Sequence, residues 1–217
     1  MDSALIVKKA MDNYPLLREE NYCTVECPVC KNDSKFFVIC RHDSVGFPAE
    51  YVICKKCGNI FFSKRPARDG YDIYYNKVYD SLTQRGFQEY SGKEKEQVKA
   101  FLEGQIKRGY KIADYCKKHL FKGIKILDVG CGMGGTLKVF QNEYDAECYG
   151  IDPVYGQVKI AREVLEVDNI YCGMAEDIDS IVPSGMKFDL IVIRATLDHL
   201  YDPSLVLNLL RNYCHER

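Results

Sequence analysis

No stretch of the chain approaches the ~18 uninterrupted apolar residues that a membrane-crossing helix requires, so no spanning segment is expected. The opening residues, MDSALIVKKAMDNYP, lack a basic start followed by a long apolar core, and no secretory signal is read there. Without export, the expected location is cytoplasmic, where thiols stay reduced. Internal repeats and low-complexity segments are absent as well. Net charge is scarce: 30 Lys+Arg against 31 Asp+Glu leave −1. The two halves differ, however. Residues 1–122 hold 22 basic and 16 acidic side chains, net +6, and residues 123–217 hold 8 and 15, net −7. Either the faces are merely solvated, or the basic front half helps attract an anionic substrate. The asymmetry is too diffuse to argue for nucleic acid.

Cysteine, by contrast, is abundant, with eleven residues. In a reducing compartment, clustered cysteines read as metal ligands rather than disulfides. "CPVC" at 27–30 and "CKKCG" at 54–58 are two C-x-x-C pairs, each beside a β-type run. Cys27, Cys30, Cys54 and Cys57 are the expected ligands of one tetrahedral Zn²⁺. A closed four-thiolate site leaves no position for substrate, so the metal's expected role is structural: it replaces a core that so small a module cannot build. Cys23, Cys40 and His42 lie nearby without the paired spacing. Cys116, Cys131, Cys148, Cys172 and Cys214 read as small buried or half-buried residues.

The pattern along the chain predicts three parts. Residues 1–66 comprise an N-terminal segment, with a short amphipathic helix ended by Pro15, and the cysteine module. Residues 67–120 comprise a tyrosine-rich connector (67–90) and a charged helix from Gly92 to Leu120, broken near Gly104 or Gly109. In residues 121–217, strands are expected at 124–129, 147–151, 169–172 and 188–193. Helices are expected at 134–143, 154–166 and 203–213. That alternation implies an α/β fold, a parallel Rossmann-like sheet covered on both faces.

"KILDVGCGMGG" (125–135) is the segment that carries chemistry. An apolar strand, a glycine turn and a helix start make a ligand cradle at the carboxyl end of a strand. Gly130, Gly132 and Gly134 remove side chains where the backbone turns sharply or is closely approached. The spacing also fits the dinucleotide fingerprint, so it leaves the ligand open by itself. Two acids narrow it. Asp128 lies two residues before Gly130, where it would repel a pyrophosphate but accept hydrogen bonds from an amino group. Asp152, in "CYGIDP", ends the next strand and is placed to hold both ribose hydroxyls. Both suit S-adenosylmethionine, which has an amino acid end, a ribose and no phosphate.

Residues 123–213 resemble a class I S-adenosylmethionine-dependent methyltransferase. "ILDVGCGMGG" resembles that family's glycine motif and "GIDP" its acidic ribose motif. "GMAEDI" (173–178) resembles the adenine-side loop, which implies Ala175 and Glu176 as cofactor contacts. Met174 departs from the acid common there. "FDLIVIRATLDHLYDP" (188–203) resembles the fourth strand and following turn, where an acid and a His are frequent. His199 is therefore the candidate base or acceptor ligand, or else a residue that holds the turn in place. Arg194 either binds an anionic acceptor or pairs with a carboxylate. The order of zinc ribbon, "NIFFSKRP", "YDIYYNKVYD" and methyltransferase core resembles bacterial glycan and nucleotide-sugar methyltransferases. That resemblance implies a sugar-like small-molecule acceptor. Tyr71, Tyr74, Tyr75 and Tyr79 either close over the pocket or pack the connector.

Two other readings stay open: an RNA methyltransferase, or a non-catalytic cofactor-binding or partner subunit. No "L-x-P-G-G" turn and no fifth to seventh strand is read, which leaves the fourth strand as an edge. The expectation is that the chain is a fragment or that a second chain completes the sheet, with little turnover by residues 1–217 alone.

Overall fold

The computed structural model describes residues 3–44, 46–79 and 95–215. The chain forms two compact units, Met1–Gly86 with Tyr201–Ser204, and Phe87–Leu200 with Leu205–Arg217.

In the first unit, α1 (Ser3–Asn13) buries Val7 and Ala10 against Leu17, Phe47 and Val78. Pro15 cannot continue the helix and instead starts a 3₁₀ turn, Pro15–Leu17. The strands β1 (Tyr22–Thr24), β2 (Phe36–His42), β3 (Pro48–Cys54) and β4 (Ile60–Pro66) form an antiparallel sheet in the order β1-β4-β3-β2. Cross-strand aromatic contacts, such as the edge-on pair Phe36–Phe61 at 5.2 Å between centroids, hold the sheet across its strands. After β4, α2 (Arg68–Ile73) widens into a π-type turn, Tyr74–Val78. Tyr71 and Tyr75 are buried, with rings 5.2 Å apart, so these tyrosines pack inside their own unit. The rest of the tyrosine-rich connector and the start of the charged segment (80–94) lie outside the described residues.

In the second unit, α3 (Lys95–Cys116) runs unbroken through Gly104 and Gly109, contrary to the break expected there. A Cβ at Gly109 would come within 2.9 Å of Val139 and 3.0 Å of the Thr136 backbone. This glycine lets two helices approach; it does not interrupt one. The strands β5 (Lys125–Val129), β6 (Glu147–Asp152), β7 (Ile170–Cys172) and β8 (Leu190–Ile193) are parallel, in the order β7-β6-β5-β8. They are joined by α4 (Gly135–Tyr144), α5 (Tyr155–Leu165) and the single turn α6 (Ile178–Ile181), and α7 (Pro203–Arg211) follows β8.

Side chains alternate along β5, as a strand requires. Ile126 joins a core with Leu137, Phe140 and Val158, and Leu127 and Val129 join an opposite core with Ile178, Phe188 and Val206. Both faces are therefore covered, as parallel sheets demand. Cys131 and Cys148 are buried and Cys116 is half-buried, but Cys172 and Cys214 are exposed, unlike the expectation. β8 is the edge of the described sheet, and its entry is flanked by an isolated parallel bridge, Phe188–Cys214. No helix among the described residues is long and apolar enough to cross a membrane.

Candidate active site

The carboxyl ends of β5 and β6 meet at the glycine loop. Gly130, Gly132 and Gly134 have φ of +77°, +58° and +77°, the left-handed region that side chains resist. The Gly130 N–H donates to the Ile151 carbonyl at 2.8 Å, which ties the loop to β6. The four glycines serve different ends. A Cβ on Gly130 would lie 2.1 Å from the Thr196 hydroxyl, and one on Gly132 would lie 2.9 Å from both Gln105 and Gln157. A Cβ on Gly134 would come 2.9 Å from Ile170, so its absence lets α4 settle there, and Gly135 lets α3 approach at Gln105.

Two acids line this loop. Asp152 is 7% exposed, and its carboxylate accepts the Gly132 N–H at 2.8 Å and the Val154 N–H at 2.9 Å. Each oxygen accepts at least one backbone donor, which fixes the carboxylate's orientation at the loop. Asp128 is 4% exposed. Burial pushes its carboxyl up to about 7, the charge of Asp152 adds to that, and the Arg194 guanidinium partly offsets it. Burial first, then both acids, likewise push the Cys131 thiol well above its ordinary value, so this cysteine is an inert packing residue.

Ala175 and Glu176 lie buried in the 3₁₀ turn Ala175–Asp177 after β7. His199 closes another 3₁₀ turn, Leu197–His199, beyond β8, with 44% of its side-chain surface exposed. Its Nε2 lies 3.7 Å from an Asp198 carboxylate oxygen. Ala195, in the same loop, has φ +50°, a strained setting for a residue with a Cβ. The sequence reading missed Gln105, Gln157 and Thr196. Gln105 Oε1 accepts the Gly135 N–H at 3.2 Å from a helix thirty residues upstream, and no local signal marks it.

The four paired cysteines form a second centre, in the first unit. Sγ atoms of Cys27, Cys30, Cys54 and Cys57 all lie within 4.8 Å of one another, with Cys27–Cys57 and Cys30–Cys54 both at 3.5 Å. The two turns are near copies. Cys27 N–H donates to Asn32 O and Cys54 N–H to Asn59 O, both at 2.8 Å. Lys31 and Gly58 occupy the same left-handed position after each second cysteine, with φ of +57° and +76°. The asparagines then cross over: Asn32 Nδ2 donates to Cys54 Sγ at 3.7 Å, and Asn59 Nδ2 to Cys27 Sγ at 4.0 Å. Burial pushes the Cys54 thiol up, but backbone N–H donors from Cys57 and Lys56 outweigh it and bring the thiol down. The donor set and its separations fit a tetrahedral Zn²⁺ with Zn–S near ~2.3 Å.

A parallel sheet with a glycine loop and buried acids at its carboxyl ends defines the Rossmann-like, nucleoside-cradling class. Within that class, the chain belongs to the methyltransferase domain family, whose model matches residues 96–216. It is 36% identical over 81 residues to ajmaline N-methyltransferase of Rauvolfia serpentina, covering 36% of this chain and 28% of that protein. It is 30% identical over 90 residues to the ubiquinone biosynthesis O-methyltransferase of Azorhizobium caulinodans, covering 40% and 34%. A probable fatty acid methyltransferase of Pseudomonas putida matches at 30% over 108 residues, covering 46% and 25%. The chain thus spans only about a quarter to a third of these relatives. Among solved structures, the plantazolicin methyltransferase BamL, in complex with a triazolic desmethylPZN analog and SAH, aligns with a TM-score of 0.48. The identity is 19%, covering 67% of this chain and 51% of that one. DesVI of Streptomyces venezuelae aligns with a TM-score of 0.43 and 20% identity, covering 51% and 47%.

Proposed function

We propose that the protein transfers the methyl group of S-adenosylmethionine to a small polar acceptor, a sugar or nucleotide-sugar in the reading from its front half. The observation that carries the methyl-transfer reading is the pairing of a glycine-rich loop with two buried acids, Asp128 and Asp152. A Cβ at Gly130 or Gly132 would collide with Thr196, Gln105 or Gln157, so the glycines let the loop fold closely beside these polar side chains and the two acids. Asp128 would receive the amino acid end, Asp152 the ribose, and Ala175 and Glu176 the adenine side. The bound cofactor supplies a methyl group already activated on a sulfonium. The protein's part is alignment of the acceptor and exclusion of water. His199, where an acceptor hydroxyl needs deprotonation, would take that proton at a ring nitrogen. Three relatives bearing the names of small-molecule methyltransferases support a small acceptor over RNA. In the first unit, Cys27, Cys30, Cys54 and Cys57 would hold a structural Zn²⁺.

Asp152→Ala should weaken S-adenosylmethionine binding by about 1.5–3 kcal/mol, the scale of hydrogen bonds to a charged group. Calorimetric titration measures this directly, and unchanged affinity would remove Asp152 from the site. Binding should also depend on pH through Asp128. Its carboxyl holds a proton up to about 7 in the ligand-free protein, whereas a cationic ligand favours the ionised form. Binding below that pH must therefore release a proton. Affinity should rise as pH rises toward about 7, by at most roughly tenfold per pH unit, and then level off. Asp128→Asn should flatten the profile. A profile equally steep in that variant would assign the titration elsewhere.

A further inference from the structure

Arg65, near the end of β4, is a cation without a carboxylate. Its neighbours are all matched. Lys64 Nζ meets Glu19 at 2.7 Å, Arg41 Nη1 meets Glu50 at 2.6 Å, and Arg68 Nε meets Asp72 at 3.1 Å. Glu50 is further committed to Ser63, whose hydroxyl donates to its other carboxylate oxygen at 2.8 Å. Arg65 forms no ion pair among the described residues, and its Nε is buried without an acceptor. A buried donor left unmade is costly, and such a group is where a missing partner is expected.

The surroundings say which kind of partner. Tyr201 lies 4.2 Å from the Arg65 guanidinium carbon and Tyr71 lies 5.7 Å from it, measured to the ring centroids. Arg68 approaches the same Tyr201 ring, at 5.9 Å. The strand register places Cys23 opposite Arg65, and Cys23 Sγ is 3.6 Å from the Tyr201 hydroxyl. Aromatic faces hold a guanidinium in one plane and take none of its in-plane N–H groups. What remains is a pre-oriented fork, and Arg68, although paired with Asp72, adds positive charge at the same ring. That arrangement suits an oxyanion that accepts from the Arg65 fork and draws on the added charge of Arg68.

We propose that Arg65, walled by Tyr71 and Tyr201 and flanked by Arg68, binds the phosphate group of a phosphorylated ligand. All of these residues belong to the first unit. The site stands whether or not the methyl-transfer reading holds.

The test titrates inorganic phosphate, a uridine diphosphate hexose and acetate separately into the zinc-loaded full chain at low salt, by calorimetry. Phosphate should bind at one site per chain, and Arg65→Gln should weaken it at least tenfold while S-adenosylmethionine affinity stays within twofold. Arg65→Lys keeps the charge without the planar fork. It should also lose affinity, and it replaces the glutamine variant if that one fails to fold. Tighter binding of the diphosphate hexose than of phosphate, lost in the same variants, assigns the site to a nucleotide-linked ligand. Phosphate binding without that gain assigns it to the free ion. No phosphate binding by the wild-type chain, affinity unchanged in both variants, or equal competition by acetate would overturn the proposal.

Discussion

Gly130→Val should remove measurable S-adenosylmethionine binding. The valine must adopt φ +77°, which costs about 1–2 kcal/mol for a residue with a Cβ. That Cβ would sit 2.1 Å from Thr196 Oγ1, 2.6 Å from its Cγ2 and 2.9 Å from its Cβ. Because the clash reaches the Thr196 Cβ itself, a rotamer change does not relieve it, and overpacking adds about 1–3 kcal/mol. Together they cost the folded loop about 2–5 kcal/mol, which the chain relieves by moving the loop and Thr196 apart, so the cradle no longer keeps the shape that binds the ligand. Gly185→Ala, outside the loop, measures the stability cost of left-handed strain alone. It has φ +80° but nothing within 4 Å of the added Cβ, so it bears the strain without the collision. Calorimetry on both, with circular dichroism for folding, distinguishes a loss of binding at the loop from a general loss of stability. Full affinity in Gly130→Val would mean that the loop does not hold the ligand.

Removing the metal should have an effect as large, in the other unit. One zinc per chain is expected by elemental analysis, and Cys54→Ser should lose it. Structural zinc sites contribute about 10–16 kcal/mol to folding of small modules, far more than this cysteine-rich sheet can replace by packing. Phe37, Val38 and Ile39 of β2 are exposed, which shows how little core lies under that strand. Hydrogen exchange should accelerate through residues 22–66 on chelation, with β5, β6 and β8 still protected. A chain that stays fully protected after its zinc is stripped would make the cluster a set of ordinary thiols.

Much of the second unit was legible in the sequence because its signals are local. The runs at 125–129 and 147–152 are short and largely buried, 190–193 is half-buried, and Asp128 and Asp152 fall at or next to the carboxyl ends of the first two. The paired cysteines were legible for the same reason. What stayed hidden depends on contacts far apart in the chain. Gly109 reads as a helix breaker, because a glycine costs a helix about 1 kcal/mol. The close approach of α3 to α4 outweighs that cost, and only the fold reveals it. Gln105, Gln157 and Thr196 surround the glycine loop from three separate elements, and nothing in their own neighbourhoods marks them. Arg65 was hidden differently. It reads as one more basic residue until the carboxylates around it are seen to be taken.

The crossed asparagines have a kinetic meaning. Asn32 belongs to the first cysteine turn but steadies a sulfur of the second, and Asn59 does the reverse. Neither turn can open while the other keeps its full set of bonds. A half-open state would lose donors on both sides at once, which favours concerted opening of the two turns over stepwise loosening. The release rate of a metal held there should then follow the opening of the whole module rather than of either turn.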